Sequence, residues 1–362
     1  MWDNEMKVLI AAGGTGGHIY PGIAVAKELI SRDPANEVLF VGTARGLENK
    51  IVPDNGFQLA LIHSVGLKSV GLVGKIKGLS VLPRSFLEAR HLLKEFRPDV
   101  AVGAGGYVSG PVLMTAHFMG FPTLVMDSNA LPGFTNRRLA RFVDKAALTF
   151  EDAVPFFGSK GIVTGNPVRS DFFSVPERMP VEPLGLLIFG GSQGARAINN
   201  AMVEALPKLR EMGIPVRITH QTGEADFENV RQAYIDAGAE GADVRPYICD
   251  MVAEFEKADL IISRAGATTC AEVAAAGKAA LMVPLPSAAD DHQRKNAEAM
   301  AKAGAVSIIL QSGLSGDTLA ARLVELLNDP KRLAEMGAAA RRLARPDAAA
   351  ATVDLIEDLI KQ

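Results

Sequence analysis

Short apolar runs bounded by polar, glycine-rich turns recur along the chain and alternate with longer stretches of helical spacing. In the first half these runs predict strands at residues 7–11, 37–41, 57–62, 99–102, 123–126, 145–149 and 161–164, with helical patterns between them, for example over 21–31 and 82–96. The second half repeats the pattern, with strands at 184–189, 216–220, 243–247, 260–263, 280–283 and 306–310 and helices over 195–212, 268–276 and 293–303. Such alternation predicts an α/β protein with a doubly wound parallel sheet in each half. The punctuation at Asn166-Pro167-Val168-Arg169 divides the expected domains: 1–166, a linker over 167–183, and 184–346. Helical segments around 318–328, 330–343 and 348–360 close the chain, and the last (347–362) is expected to return to the first domain.

Two of the apolar runs end in glycines. Lys7-Val8-Leu9-Ile10-Ala11-Ala12 leads into Gly13-Gly14-Thr15-Gly16-Gly17-His18, and Leu184-Gly185-Leu186-Leu187-Ile188-Phe189 leads into Gly190-Gly191-Ser192-Gln193-Gly194-Ala195-Arg196. A buried strand that ends in glycines and opens a helix presents unpaired backbone N–H groups and a positive helix end, which suits a phosphate. Two such turns imply two similar domains facing a shared cleft.

Composition narrows the class. The 362 residues suffice for two domains, and the 48% hydrophobic and 6% aromatic fractions fit aliphatic cores of parallel sheets covered on both faces. A net charge of −3 argues against bulk nucleic-acid binding. Cys249 and Cys270 stand alone, with no metal-ligand spacing, as in a reducing cytoplasm. No secretory signal is expected from the acidic Met1-Trp2-Asp3-Asn4-Glu5 start. The uncharged stretch 100–126 is broken by glycines and prolines into strand, turn, helix and strand, so a membrane span is not expected there. Nicotinamide and flavin sites typically carry a carboxylate at the end of the second strand, but here those strands end Phe40-Val41-Gly42-Thr43 and Thr219-His220-Gln221-Thr222. A GxxxxGK[ST] phosphate loop is also absent.

Several blocks resemble the MurG family, the UDP-N-acetylglucosamine transferases that convert lipid I to lipid II in peptidoglycan synthesis. They are Gly13 to Pro21, Gly105-Gly106-Tyr107-Val108-Ser109-Gly110-Pro111, Gly165-Asn166-Pro167-Val168-Arg169, Gly190 to Ala195, Arg264 to Glu272 and Asp290 to Ala297, in family order and spread over nearly the whole chain. The resemblance implies a GT-B fold, two Rossmann-like domains with the acceptor mainly on the first and the nucleotide sugar on the second. It implies inverting transfer of GlcNAc from UDP-GlcNAc to the C4 hydroxyl of lipid-linked MurNAc-pentapeptide, with no tightly bound cofactor. Such a reaction needs a base for the hydroxyl and stabilisation of the departing pyrophosphate, but no covalent intermediate.

His18 closes the first turn, and an imidazole, with its ordinary pKa of ~6.5, can serve there as base or as an orienting group. Thr15 with the N–H groups of Gly14, Gly16 and Gly17 forms the expected acceptor-phosphate cradle, joined by the hydroxyls of Tyr107 and Ser109. The family segment His-Glu-Gln-Asn-Ala reads Met126-Asp127-Ser128-Asn129-Ala130 here. Asp127 keeps a carboxylate to orient the acceptor hydroxyl or partner His18, or else caps the following helix, and Asn129 joins the acceptor side. On the donor side the resemblance implies Ser192, Gln193 and Gly194 at the UDP phosphates, Arg169 and Arg264 balancing their charge, Glu272 on the ribose and the Ile248 backbone on uracil. Gln293, with Asp291 and Asn296, would read the sugar hydroxyls; His292 stands where some relatives carry Gln. No Asp-x-Asp occurs, so no protein-bound metal is expected.

Residues 66–97 carry Lys68, Lys75, Lys77, Arg84, Arg90, Lys94 and Arg97 against Glu88 and Glu95, interleaved near the start with Leu72, Val73, Ile76, Leu79, Val81 and Leu82. This reads as an ordinary amphipathic helix or as a surface that lies on an anionic bilayer. Expected partners are UDP-GlcNAc, the lipid I acceptor, the anionic cytoplasmic face of the inner membrane and other wall-synthesis proteins, with no nucleic acid. Alternatives are a related enzyme with another lipid acceptor, such as a glycolipid synthase, and a UDP-GlcNAc 2-epimerase.

Overall fold

The computed structural model describes residues 5–44, 46–64, 72–213 and 215–361, with residues 72–81 described as backbone alone. The chain divides into two compact units, Met1–Val168 with Asp347–Gln362, and Arg169–Pro346.

Unit 1 holds strands β1 (Lys7–Ala12), β2 (Glu37–Gly42), β3 (Gln58–Leu61), β4 (Val100–Gly105), β5 (Thr123–Asp127), β6 (Lys145–Leu148) and β7 (Gly161–Val163). Between them run helices α1 (Gly16–Arg32), α2 (Glu48–Asp54), α3 (Leu72–Phe96), α4 (Ser109–Phe118) and α5 (Phe134–Leu139). The strands form one parallel sheet in the order β3-β2-β1-β4-β5-β6-β7. Val8, Ile10 and Ala12 of β1 pack on one face with Ile19, Ile23 and Ala26 of α1, while Leu9 and Ala11 pack on the other with Ala89, Leu93 and Leu113. Because both faces are covered, the strands read as nearly continuous apolar runs.

Unit 2 holds β8 (Leu184–Phe189), β9 (Val216–Gln221), β10 (Asp243–Arg245), β11 (Leu260–Ser263), β12 (Ala279–Met282) and β13 (Val306–Ile308). Its helices are α6 (Arg196–Glu211), α7 (Phe227–Asp236), α8 (Met251–Lys257), α9 (Ala267–Ala276), α10 (His292–Lys302), α11 (Gly316–Leu327) and α12 (Pro330–Leu343). The sheet order is β10-β9-β8-β11-β12-β13, again all parallel. A final helix, α13 (Ala348–Ile360), belongs to unit 1, where Val353, Ile356 and Leu359 enter the core beside α1. Arg32 fixes it from α1 by donating to Asp354 at 2.7 Å, Glu357 at 3.0 Å and the Ala350 carbonyl at 3.0 Å.

The strand pattern read from the sequence reappears with shifted ends. The helix expected from Pro21 begins at Gly16 instead, because proline at this point removes only the bond to the Gly17 carbonyl while Gly16 and Gly17 let the chain turn early. Likewise α3 starts at Leu72 and carries Pro83 within it, where the apolar spacing alone suggested a start near Leu82.

Arg341 of α12 holds the entry into unit 2. Its Nη1 donates to the carbonyls of Phe173 and Ala275, and its Nη2 to those of Val175 and Ala276, at 2.6 and 3.2 Å. One guanidinium thus satisfies carbonyls at the C-terminal end of α9 and ties the 173–175 segment beside them. Arg341→Met is expected to lower the stability of unit 2 by about 2–3 kcal/mol in denaturant titration; an unchanged midpoint would show those carbonyls satisfied without it.

Candidate functional site

In each unit the strand order reverses at one point, between β1 and β4 in unit 1 and between β8 and β11 in unit 2. Loops leaving the carboxyl ends of such a pair diverge and leave a crevice, the usual place for ligands in this kind of sheet. All the glycine turns singled out above lie at these ends.

In unit 1 the turn after β1 and the turn after β4 interlock. A Cβ on Gly106 (φ +83°) would strike the Gly13 carbonyl, and one on Gly105 (φ +123°) would sit 2.5 Å from Cδ2 of His18. Only glycine permits that approach. His18 is half-buried against Gly105, and its Nδ1–H donates to the Gly13 carbonyl at 3.3 Å, which places the imidazole lone pair on Nε2. Thr15 is exposed and caps α1 without a side-chain capping bond, and the His18 N–H turns back to the Thr15 carbonyl. The first-turn N–H groups of Gly16 and Gly17 have no acceptor within the helix.

Three expectations for this unit change. The Gly14 N–H does not belong to an open cradle, since it donates to Oε2 of Glu48 at 3.0 Å. Ser109 is fully buried: its Oγ accepts from the Gly105 N–H at 3.1 Å, and its proton lies between the carbonyls of Ala11 and Gly105, so it ties β4 to β1. Asp127 takes the capping role. Its Oδ1 accepts from the Asn129 N–H and its Oδ2 from the Gly133 N–H and Asn136 Nδ2, at 2.8–2.9 Å, which pins the loop into α5. Burial pushes the Asp127 carboxyl above its usual range, against the pull of these donors and of His18 whenever that ring is protonated. Asn129 is drawn into the same loop, whereas Tyr107 stands 54% exposed.

In unit 2 the turn after β8 crosses the turn after β9. A Cβ on Gly194 (φ +73°) would strike the Thr222 carbonyl, and one on Gly223 (φ +79°) the Gln193 carbonyl. Ser192 and Gln193 are exposed at the head of α6, whose cap, Ala195, offers no side chain to its first N–H groups. A buried network lies beneath. Asn199 donates from Nδ2 to the Thr222 carbonyl at 2.9 Å and to Asp226 at 3.0 Å. Its Oδ1 accepts from Nε2 of His220 at 3.1 Å, while Nδ1 of His220 accepts from the Tyr234 hydroxyl at 2.9 Å. Burial pushes His220 down to about 3, so this imidazole stays neutral.

Gln221, also buried, donates to the Gly191 carbonyl at 2.9 Å and accepts from the Ile248 N–H at 2.7 Å. Of the Ile248 backbone, expected on uracil, the N–H is thus taken within the protein, which leaves the carbonyl for that role. Gln221, Asn199 and Glu48 are the residues that sequence reasoning missed. The surviving signal was polar side chains within otherwise apolar elements, as in Thr219-His220-Gln221.

Beside β11 the assignments also shift. Arg264 donates to the carbonyls of Val283 and Pro284 at 3.0 and 3.3 Å and to Oε1 of Gln311 at 2.7 Å, and burial holds it below the usual guanidinium range. Its guanidinium is engaged with the protein rather than presented freely. Gln293 accepts at Oε1 from the N–H groups of Ala265 and Leu285, and fully buried Asn296 donates to the Ala265 carbonyl, so both side chains, expected to read the sugar hydroxyls, also hold the loops beside β11 and β12. Arg169 and Glu272 do come together. Burial pushes the Glu272 carboxyl up to about 7 against the pull of the Arg169 guanidinium, which also lies 5.1 Å over the Phe172 ring.

Of the expected basic surface, Lys68 lies outside the described residues, as do the side chains of Leu72, Val73, Lys75, Ile76, Lys77, Leu79 and Val81. In the described part Arg84 is exposed, pairing with Glu88 at 2.8 Å, and Leu87 is 67% exposed beside it. Among the described residues no helix is long and apolar enough to cross a membrane.

Two family models match the chain, the glycosyltransferase family 28 N-terminal domain over residues 8–148 and the glycosyltransferase family 28 C-terminal domain over residues 185–352. The UDP-N-acetylglucosamine–N-acetylmuramyl-(pentapeptide) pyrophosphoryl-undecaprenol N-acetylglucosamine transferase of Pelobacter propionicus is 46% identical, over 97% of this chain and 99% of its own. Its counterpart in Geobacter sulfurreducens is 47% identical, over 96% and 97%. Among solved structures, MurG of Acinetobacter baumannii superposes with a TM-score of 0.84 at 36% identity, covering 98% of this chain and 100% of that one. With two parallel-sheet units of GT-B type and likeness over its full length, the chain belongs to the MurG family of glycosyltransferases.

Proposed function

We propose that this protein transfers GlcNAc from UDP-GlcNAc to the C4 hydroxyl of the MurNAc-pentapeptide of lipid I, with inversion, to give lipid II. The observation that carries the reading is likeness to transferases of this name over nearly the whole chain, joined to a glycine turn with a suitable base in unit 1 and a second glycine turn in unit 2.

Unit 2 holds the donor. The N–H groups at the head of α6, with Ser192, Gln193 and Gly194, receive the UDP phosphates. Arg169 adds positive charge, Glu272 accepts from the ribose hydroxyls, and the Ile248 carbonyl faces the base. Unit 1 holds the acceptor, with Thr15 and the N–H groups of Gly16 and Gly17 on its pyrophosphate and Tyr107 alongside. His18 Nε2 takes the proton of the C4 hydroxyl as that oxygen bonds to the anomeric carbon of GlcNAc. The bond from that carbon to the β-phosphate oxygen breaks, and UDP departs with the electron pair, its new charge met by helix N–H dipoles and guanidinium. The exposed basic and apolar residues of α3 set the protein on the anionic inner-membrane surface that carries the acceptor.

Radiolabelled UDP-GlcNAc with a short-chain lipid I analogue should give labelled disaccharide lipid, and His18→Ala should lower turnover about 10²–10⁴-fold; near-normal turnover at saturating substrates would remove the base assignment. Glu272 supplies a pH test. Its carboxyl titrates near about 7, so it is ionised and able to accept above that value and protonated below it. UDP affinity of the wild type should therefore fall from about pH 8 to about pH 6 more steeply than that of Glu272→Gln; parallel profiles would refute the ribose contact. Changing Lys75, Lys77 and Arg84 to Glu should weaken partition onto anionic vesicles by about 100-fold or more, and undiminished binding would locate the anchor elsewhere.

A further inference from the structure

Glu48 is a charged side chain with no exposure, placed directly beneath the glycine turn of unit 1. It accepts from the Gly14 N–H at 3.0 Å, from the Thr43 N–H at 2.9 Å and from the Thr43 hydroxyl at 2.9 Å. Three glycines enclose it. A Cβ on Gly13 would lie 3.0 Å from its Oε1, one on Gly42 would lie 2.5 Å from its Cγ, and one on Gly46 would overlap the carboxylate. Gly14 and Thr43 meet it only with donors, which is the environment of an ionised carboxylate, and these bonds hold it below the usual carboxylate range despite burial.

This anion has a path to the imidazole. The Gly13–Gly14 peptide carries the Gly14 N–H toward Glu48 on one side and the Gly13 carbonyl toward His18 Nδ1 on the other. A single planar amide therefore joins the carboxylate to the ring, and fixing one end orients the other. Gly14, at φ +92° and without a side chain, does not itself fix that plane; Gly106 packs against its carbonyl edge and Glu48 holds its N–H edge. We infer that Glu48 is a positioning residue: it locks the Gly13–Gly14 peptide so that the Gly13 carbonyl holds His18 with its proton on Nδ1 and its lone pair on Nε2. The buried carboxylate also occupies the Gly14 N–H of the turn, so that this group is not offered to an external anion. The catalytic half of this inference rests on the reading of His18 as base.

The test uses the full-length protein with ¹⁵N-labelled histidine, the His18 signals among its six histidines being identified by their loss in His18→Ala. Glu48→Gln keeps the shape but turns an amide donor toward the Gly14 or Thr43 donors. The expected result is a loss of the Nδ1–H tautomer signature of His18, and a kcat about 10-fold or more lower with the UDP-GlcNAc KM within about two-fold of wild type. UDP binding by unit 2 serves as the fold check. An unchanged His18 signature overturns the proposal whatever the rate does. So does an altered signature with unchanged kcat, provided His18→Ala is inactive. An altered signature in a background where His18→Ala keeps turnover supports the hold on His18 and sinks the base reading instead. Should Glu48→Gln fail to fold, Thr43→Val removes one donor from the carboxylate and must shift the same resonances, or the proposal falls.

Discussion

Backbone has to touch backbone at the carboxyl ends of the central strands, and the rest of both sites follows from that contact. Gly106 lies over the Gly13 carbonyl in unit 1; in unit 2 Gly194 lies over the Thr222 carbonyl and Gly223 over that of Gln193. Each position has a positive φ that a larger residue adopts only under strain. The close crossing draws the loops tight over the sheet and aims the first N–H groups of α1 and α6 away from it. Peptide dipoles fixed in this way need little rearrangement when charge arrives, which is the condition for effective electrostatic stabilisation.

Tight loops over a buried sheet create polar groups that neither sheet nor helix can satisfy, and side chains must meet them. That requirement explains why so many residues with suitable chemistry face inward. Ser109 serves Gly105 and Ala11; Asp127 serves Gly133 and Asn136; Gln293 and Asn296 serve the Ala265 segment; Gln221 bridges Gly191 and Ile248. A hydroxyl or amide committed to the frame in this way still shapes recognition, because it decides which N–H or carbonyl remains on the surface. Loss of one partner would leave a buried group unpaired, at about 1–3 kcal/mol.

The architecture was legible because a parallel sheet covered on both faces leaves nearly uninterrupted apolar runs, as at Val8 to Ala12 and Leu184 to Phe189. The two glycine turns were legible for a similar reason, since no other composition serves there. The direction of a polar side chain leaves no such trace. Ser109 stands in a glycine-rich turn whether its hydroxyl faces a ligand or the Gly105 N–H, and periodicity does not separate the two. Glu48 escaped notice because a carboxylate was sought at the end of β2, where Gly42 and Thr43 stand. It enters instead at the first residue of α2 and folds back beneath that strand end. Helix starts were read too late: the patterns over 21–31 and 82–96 begin inside α1 and α3, which carry Pro21 and Pro83 within them.

The two units apply the same design to different chemistry, and their histidines show how. His220 is enclosed, held neutral by desolvation and bonded at both nitrogens, so it supports a loop and cannot exchange protons near neutral pH. His18 is half-buried and directed through Nδ1 by a backbone carbonyl, which orients the ring and sets its tautomer. Carboxylates divide likewise. Glu48 is surrounded by donors and held ionised, a fixed internal charge. Glu272 is pulled down by the Arg169 charge but pushed up further by burial, so its carboxyl titrates at about 7. On the function proposed above, proton movement falls to unit 1, where the ring is oriented, and charge balance for a diphosphate to unit 2, where Arg169 and the head of α6 lie. A transfer in which one molecule loses a proton while the other departs as an anion needs both environments, and a single glycine-turn domain could not maintain them at one strand end.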